Sequence, residues 1–335
     1  MSQQNNNNNI NHNKKVKLYE TTFDKIQKLG EGTYSVVYKV SKKNSNNEIV
    51  YYALKKFKKI YNNFGCNDSA LKEITILKEI FHENILKIKD TFYSINELFI
   101  LYEYIDYDFI TLNTKNYYKY LTESDTKNLM KQMLTGFNIL HKNGILHRDI
   151  KPDNLMINKD GVLKIVDFGL ARFITTPDKK MSQYVVSSYY RPPEIFFGAA
   201  FYSYSIDIWS IGCIFAELLL KDKPIFYSEQ IGEGINTIGI LLEIFKLLGV
   251  PNDTNWPNVN QLCDYKYFER GEPLTIKKKF ARCSAEAVDL LEKMLVLNPN
   301  NRISCENALK HPYFQVEPKP SDNKRIGDLF GGKLK

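Results

Sequence analysis

Cysteine is scarce in this chain. Five occur in 335 residues, at Cys66, Cys213, Cys263, Cys283 and Cys305, an odd number with no CxxC pair. Neither a disulfide framework nor a zinc site is expected, and a reducing, intracellular compartment fits best. Long apolar runs are also missing. The greasiest stretches, Ile211–Leu220 and Ile238–Val250, are broken by Glu217, Glu243 and Lys246, so no membrane span is expected. The opening residues, MSQQNNNNNINHNKKVK, lack the apolar h-region of a signal peptide. No internal repeat is present. Charge of one sign does not dominate: Lys and Arg total 46 against 38 Asp and Glu, a formal net of +8. The basic residues are spread widely, the densest cluster being Lys55–Lys59. No nucleic-acid or membrane partner is expected from such a distribution.

What is present is an ordinary globular composition, 43% hydrophobic and 25% charged, long enough for two modest domains sharing a cleft. Residues 1–18 read as a disordered Asn-rich tail that cannot bury enough apolar surface to offset its ordering entropy. Residues 19–104 read mostly as β-structure, with runs Val36–Val40, Val50–Lys55 and Leu98–Tyr104. One helix interrupts them: Asn67, Asp68 or Ser69 can cap it, and Leu71, Ile74, Leu77, Lys78 and Phe81 follow at helical spacing. Residues 105–316 turn mainly helical, as in Asp125–Asn143, Ile206–Leu220, Asn236–Leu248 and Ala285–Leu295. From 317 to 335 the composition is again tail-like, although Ile326, Leu329 and Phe330 could dock. The expectation is an α+β, bilobal architecture, a small β-rich lobe with one key helix and a larger helical lobe, with the cleft near residues 104–108.

The chemistry-bearing segments fall in a definite order. Gly30-Glu31-Gly32-Thr33-Tyr34-Ser35-Val36-Val37 lies between two strand-like runs. Its glycines can bring backbone N–H groups close to phosphates, though alone it would equally fit a hairpin turn. Ser35 stands where a G-x-G-x-x-G loop has its third glycine. Lys55 ends a strand-like run and can reach phosphates if a carboxylate holds it. Glu73, beside Ile74 and Leu77 on the helix and so facing inward rather than to water, is the candidate, although either charge alone would read as a surface charge.

His147-Arg148-Asp149-Ile150-Lys151-Pro152-Asp153-Asn154 is the strongest signal. Asp149 can orient and accept a proton from a hydroxyl nucleophile, Lys151 can neutralise a transferring phosphoryl group, and Asn154 can offer an amide oxygen to a metal ion. Asp167-Phe168-Gly169 follows eighteen positions after Asp149 and closes the run Leu163–Val166. Its carboxylate is a hard oxygen ligand suited to Mg²⁺.

On these residues the chain resembles the protein kinase family over about residues 19–316. Glycine loop, Lys55, Glu73, His147–Asn154, Asp167–Gly169, Pro192-Pro193-Glu194, Asp207 and Arg302 appear in the family's order. The resemblance implies Mg-ATP as cofactor and protein hydroxyls as acceptors. It also implies a Glu194–Arg302 pair and an Asp207 that anchors the catalytic-loop backbone. Lys55, Asp149 and Asp167 are all retained, which weighs against the rival of a non-catalytic pseudokinase scaffold. By the same register Leu29, Gly30, Glu31, Gly32, Thr33, Tyr34 and Ser35 cover the nucleotide. Val37 and Ala53 lie above the adenine and Met156 below it. Glu103 and Ile105 present backbone groups at the hinge, Asp108 lies near the ribose, and Tyr102 either narrows the back pocket or simply packs.

Lys151 in Ile150–Asn154 is similar to serine/threonine rather than tyrosine kinases. Tyr190-Arg191 resembles the group containing cyclin-dependent, mitogen-activated and glycogen synthase kinases, where the arginine favours proline after the phosphorylated residue. Gly30–Tyr34, Ser69–Ile74 and Asp167–Arg172 look like the cyclin-dependent type, which implies a cyclin-type activating subunit. On that register Ser182 is the activating phosphosite, its phosphate held by Arg148, Arg172 and Lys72, and Thr33 and Tyr34 are inhibitory sites. Ser182-Gln183-Tyr184 equally resembles the dual phosphorylation pair of mitogen-activated kinases, with Tyr184 modified. Ser188–Arg191, Phe197–Ala199 and Pro224–Phe226 are similar to glycogen synthase kinases. The balance favours the cyclin-dependent type. Activator, substrates, and nucleus against cytoplasm stay open.

Overall fold

The structure is a computed structural model. It describes residues 15–18, 21–32, 35–58, 68–94, 97–174, 186–229, 236–269 and 271–333. The chain divides into two compact units, one of residues up to Lys78 with Lys87–Tyr104, the other of Glu79–Leu86 with Ile105 onward.

The first unit is a six-stranded antiparallel sheet of β1 (Lys15–Leu18), β2 (Thr21–Glu31), β3 (Ser35–Lys43), β4 (Ile49–Phe57), β5 (Ile88–Ser94) and β6 (Glu97–Glu103), ordered β1-β2-β3-β4-β6-β5. Val40, Leu54, Phe92, Phe99 and Leu101 form its core with Leu18 and Phe23. β1 corrects the expectation that residues 1–18 are all disordered tail. The segment Lys-Val-Lys-Leu alternates with strand period, pairs with β2, and seats Leu18 at 2% exposure.

Helix α1 (Asp68–Glu79) is the one helix read in this region, and Glu73 and Leu77 face inward as expected, but the rest of its buried face is not the one the spacing suggested. Ala70, Glu73, Ile76 and Leu77 are buried, while Leu71 is 46% and Phe81 74% exposed. Two stripes with helical spacing overlap in this segment. Apolarity selects the stripe through Leu71 and Ile74, whereas the fold buries the one that carries a carboxylate.

The second unit opens with β7 (Tyr107–Asp108), α2 (Thr111–Thr114) and α3 (Glu123–Lys142), followed by β8 (Ile145–Leu146), β9 (Leu155–Ile157), β10 (Leu163–Ile165) and β11 (Arg172–Phe173). The helices α4 (Pro193–Phe196), α5 (Ser205–Leu220), α6 (Thr237–Leu248), α7 (Ile276–Lys279), α8 (Ala285–Met294), α9 (Cys305–Leu309) and α10 (Asn323–Phe330) complete it. Thr122 starts α3 through a capping box with Asp125, which satisfies two orphan N–H groups reciprocally. Helix α5 is apolar on nearly all sides and is buried from Ile206 to Leu218, as expected of a central helix. Among the described residues no helix is long and apolar enough to cross a membrane.

The segment beyond residue 316, tail-like in composition, is folded through α10. Ile326, Leu329 and Phe330 are at most 1% exposed, and Phe330 lies 5.9 Å from Phe109, ring to ring. Arg325 forks onto Asp125 of α3 at 2.8 and 3.0 Å. Few but well-spaced apolar residues are enough once a preformed helix surface receives them.

Candidate active site

Strand register in the first unit brings several expected nucleotide residues into one row. Gly30 lies opposite Val37, and Val37 opposite Lys55. Ala53, two residues from Lys55, shares its face. The glycine loop is closed by Gly32 N–H donating to the Ser35 carbonyl at 2.9 Å. A Cβ built at Gly30 or Gly32 would meet no atom within 4 Å, so the backbone there is open to close approach. Hydrogen bonds from Lys28 and Lys58 strap the end of β2 and hold the Glu31 carboxyl down to about 2. Leu29 is exposed. Thr33 and Tyr34 lie outside the described residues.

Lys55 Nζ meets Glu73 Oε2 at 2.8 Å, with side-chain exposures of 13% and 1%. The other oxygen, Oε1, accepts from the Tyr102 hydroxyl at 2.6 Å. Sequence reasoning gave Tyr102 only a steric part, since nothing local marks its hydroxyl. Glu103 N–H donates to the Lys87 carbonyl at 3.1 Å. Lys72 is exposed on α1.

In the second unit the segment 147–154 follows β8 and is pinned from beneath by Asp207 of α5. Asp207 accepts from His147 N–H at 3.0 Å, Arg148 N–H at 3.1 Å and the His141 ring at 3.0 Å. Burial pushes the Asp207 carboxyl up, but the His141 hydrogen bond and the nearby His141 and His147 rings outweigh it and leave it below the usual range. So held, Arg148 adopts φ 67°, a left-handed conformation seldom taken by non-glycine residues.

Asp149 is the hub. Its Oδ2 accepts from Asn154 Nδ2 at 3.0 Å and pairs with Lys151 Nζ at 3.0 Å. Its Oδ1 accepts from the Ser187 hydroxyl at 2.9 Å and Ser187 N–H at 3.2 Å. Burial raises the Asp149 carboxyl, yet the hydrogen bond and charge of Lys151, with Ser187 and His147, bring it below the ordinary value. It is therefore a carboxylate at neutral pH, able to orient a hydroxyl. Ser187, which also accepts from Lys151 Nζ at 3.0 Å, was missed from the sequence. Nothing there distinguishes it from its neighbour Ser188.

Asn154 uses its amide nitrogen twice, donating to Asp149 O at 2.8 Å and to Asp149 Oδ2. That fixes the amide so that its oxygen points the other way. Val166 N–H donates to the Asn154 carbonyl at 3.0 Å, which places Asp167 one residue beyond. Asp167 is exposed, takes φ 59°, and accepts from Gly169 N–H. An amide oxygen and a carboxylate are the hard donors that Mg²⁺ takes, with water and phosphate completing its shell. The residues present fit that ion. Asp108 and Met156 face each other as partners in β7 and β9, and Ile105 is buried at 4%.

The family pattern described as protein kinase domain matches residues 23–314. The chain belongs to the protein kinase family. This kinase is 42% identical over 291 residues to cyclin-dependent kinase 7 of Dictyostelium discoideum, spanning 85% of this chain and 78% of that protein. A chain of the CAK complex from Chaetomium thermophilum, solved bound to ATP-γ-S, matches with a TM-score of 0.78 and 32% identity, covering 90% of this kinase and 93% of that chain. The kinase accordingly has the bilobal kinase fold, uses ATP, and is a serine/threonine kinase of the cyclin-dependent type. The mitogen-activated and glycogen-synthase-kinase readings give way to that type.

The remaining expected sites divide. Arg148 Nε donates to the Leu170 carbonyl at 2.7 Å and Nη1 to the Tyr202 hydroxyl at 3.1 Å. Arg172 sits in β11 opposite Leu146. Ser182 and Tyr184 lie outside the described residues.

Proposed function

We propose that this kinase transfers the γ-phosphate of Mg-ATP to serine or threonine followed by proline, and that a cyclin-type subunit activates it. The observation that carries the proline preference is the backbone at Val186. Its φ is 65°, an outlier for a β-branched residue, and its carbonyl accepts from Arg191 Nε at 3.1 Å and Nη2 at 2.8 Å. With that acceptor taken, an N–H arriving after the phosphorylated residue would be left without a partner. Proline has no N–H to strand.

Asp149 aligns the acceptor hydroxyl and takes its proton, with Ser187 and Asn154 fixing the carboxylate. Lys151 neutralises charge on the transferring group. Lys55, held by Glu73, fixes the α- and β-phosphates, and the glycine loop offers them N–H groups. Asp167 and Asn154 would hold Mg²⁺, which when bound would supply charge screening of the phosphates. Positioning and charge neutralisation make up nearly all of the catalysis in phosphoryl transfer. A cyclin-type partner fits the exposed Leu71 on α1 and the relatives named above. By resemblance to the cyclin-dependent kinases, phosphorylation of Ser182, with Arg148, Arg172 and Lys72 to hold the phosphate, completes the activation.

The decisive experiment is phosphoryl transfer from Mg-ATP to paired Ser-Pro and Ser-Ala peptides, with Asp149→Asn as control. Transfer favouring Ser-Pro, and reduced about 10²- to 10⁴-fold by Asp149→Asn, is expected. Equal use of both peptides would sink the proline preference. Full activity of Asp149→Asn would sink the catalytic assignment.

A further inference from the structure

Glu73 is gripped from two directions inside the first unit. Lys55 holds Oε2, and the Tyr102 hydroxyl donates to Oε1 at 2.6 Å. Register explains how the tyrosine gets there. Tyr102 lies opposite Ala53, and Lys55 lies opposite Ile100 on the same pair of strands. Alternation puts Ala53, Lys55 and Tyr102 on one face, with the lysine and tyrosine as diagonal neighbours. Helix α1 lays its buried stripe on that face and delivers Glu73 between them. Glu73 is 1% and Tyr102 3% exposed, and a carboxylate so far from water is stable only with donors on its oxygens.

We infer that Tyr102 is a positioning residue that holds Glu73 toward Lys55 from within the sheet, reducing the dependence of this pair on an activating subunit. The inference rests on the proposed role of Lys55 and Glu73 in fixing phosphates. For α1 to swing Glu73 away, the Tyr102 bond must break together with the Lys55 pair. A phenylalanine at 102 would keep the packing and leave only the lysine. The inward state is thereby favoured by about one further decade of population, the worth of one charge-assisted hydrogen bond.

The test compares the full chain with Tyr102→Phe, Glu73→Ala and the double variant. Hydrogen exchange is read across α1, β4 and β6 without nucleotide, and transfer is measured with no added subunit. Tyr102→Phe is expected to speed exchange in α1 about tenfold while β4 and β6 stay protected. It should also lower kcat about tenfold at unchanged peptide KM. The double variant should be no worse than Glu73→Ala alone. Exchange in α1 at the wild-type rate overturns the inference. So does exchange raised evenly through all three elements, which marks plain packing, or additive effects in the double variant. If exchange follows the expected pattern but Lys55→Met transfers phosphate as fast as the wild type, the hold on Glu73 stands and the phosphate-fixing role of the pair falls.

Discussion

Arg302 meets Glu194 fork to fork, Nη1 to Oε1 and Nη2 to Oε2, both at 2.6 Å across 108 residues of sequence. The arginine side chain is fully buried and the glutamate nearly so. Its other donors are used as well, Nε on the Val296 carbonyl and the Nη groups on Ser205 O and Leu297 O. The pair ties the segment that carries Arg191 to the start of α5.

Removing one partner of such a pair leaves a buried charge uncompensated. Glu194→Gln is expected to cost about 3–5 kcal/mol in urea unfolding. Arg302→Lys should cost a comparable amount, because an ammonium cannot reproduce the fork. A loss below about 1 kcal/mol for both would mean the pair behaves as a surface bridge.

Arg191→Ala frees the Val186 carbonyl to accept a hydrogen bond. The ratio of kcat/KM for Ser-Pro over Ser-Ala peptides should then fall about tenfold, the equivalent of one buried hydrogen bond regained by the alanine peptide. Peptide kinetics on purified enzyme check this. An unchanged ratio at reduced total activity would show that the arginine only supports the loop.

Asp125 and Arg325 give a stability prediction with a defined pH window. Burial raises the Asp125 carboxyl, but hydrogen bonds from Arg325 and Thr122 prevail and leave it below its ordinary value. A depressed carboxyl stabilises the fold above the unfolded value of about 3.9 and loses that contribution as pH falls through the folded value. Arg325→Met should therefore destabilise by about 1–2 kcal/mol at pH 7, a figure held down by solvent screening of the partly exposed arginine. The gap between variant and wild type should shrink below about pH 4. Urea titrations at pH 7, 5 and 3.5 measure it.

Gly161 has φ 80°, and a Cβ there would fall 1.7 Å from the Asn323 carbonyl oxygen. Gly161→Ala should displace the start of α10 and cost at least about 2 kcal/mol, the left-handed conformation alone accounting for 1–2. Hydrogen exchange should show 323–333 opening first. A variant as stable and protected as wild type would mean that the α10 contact is dispensable.

The side-chain cluster around Asp149 could be read directly, because it sits in a contiguous run whose chemistry is local. Asp149, Lys151 and Asn154 lie within six positions, and their side chains meet around one carboxylate. Helices α3, α5, α6 and α8 could be read within two residues at their ends, since periodicity and caps are local as well. On α1 the inward place of Glu73 could be read from its neighbours Ile74 and Leu77, but the exposure of Leu71 and Phe81 could not, because both fit the same helical spacing.

From sequence alone, this protein's kinase lineage, its serine/threonine chemistry and its chief ionisable groups are determined, since each depends on residue type at short spacing. Only the tertiary structure decides what holds those groups in place: Tyr102 on Glu73, Ser187 on Asp149, Arg191 on Val186, α10 on α3. The physical reason is that a hydrogen bond between distant residues is set by strand register and helix rotation. A shift of one residue in either leaves composition and motif intact while moving the donor out of reach.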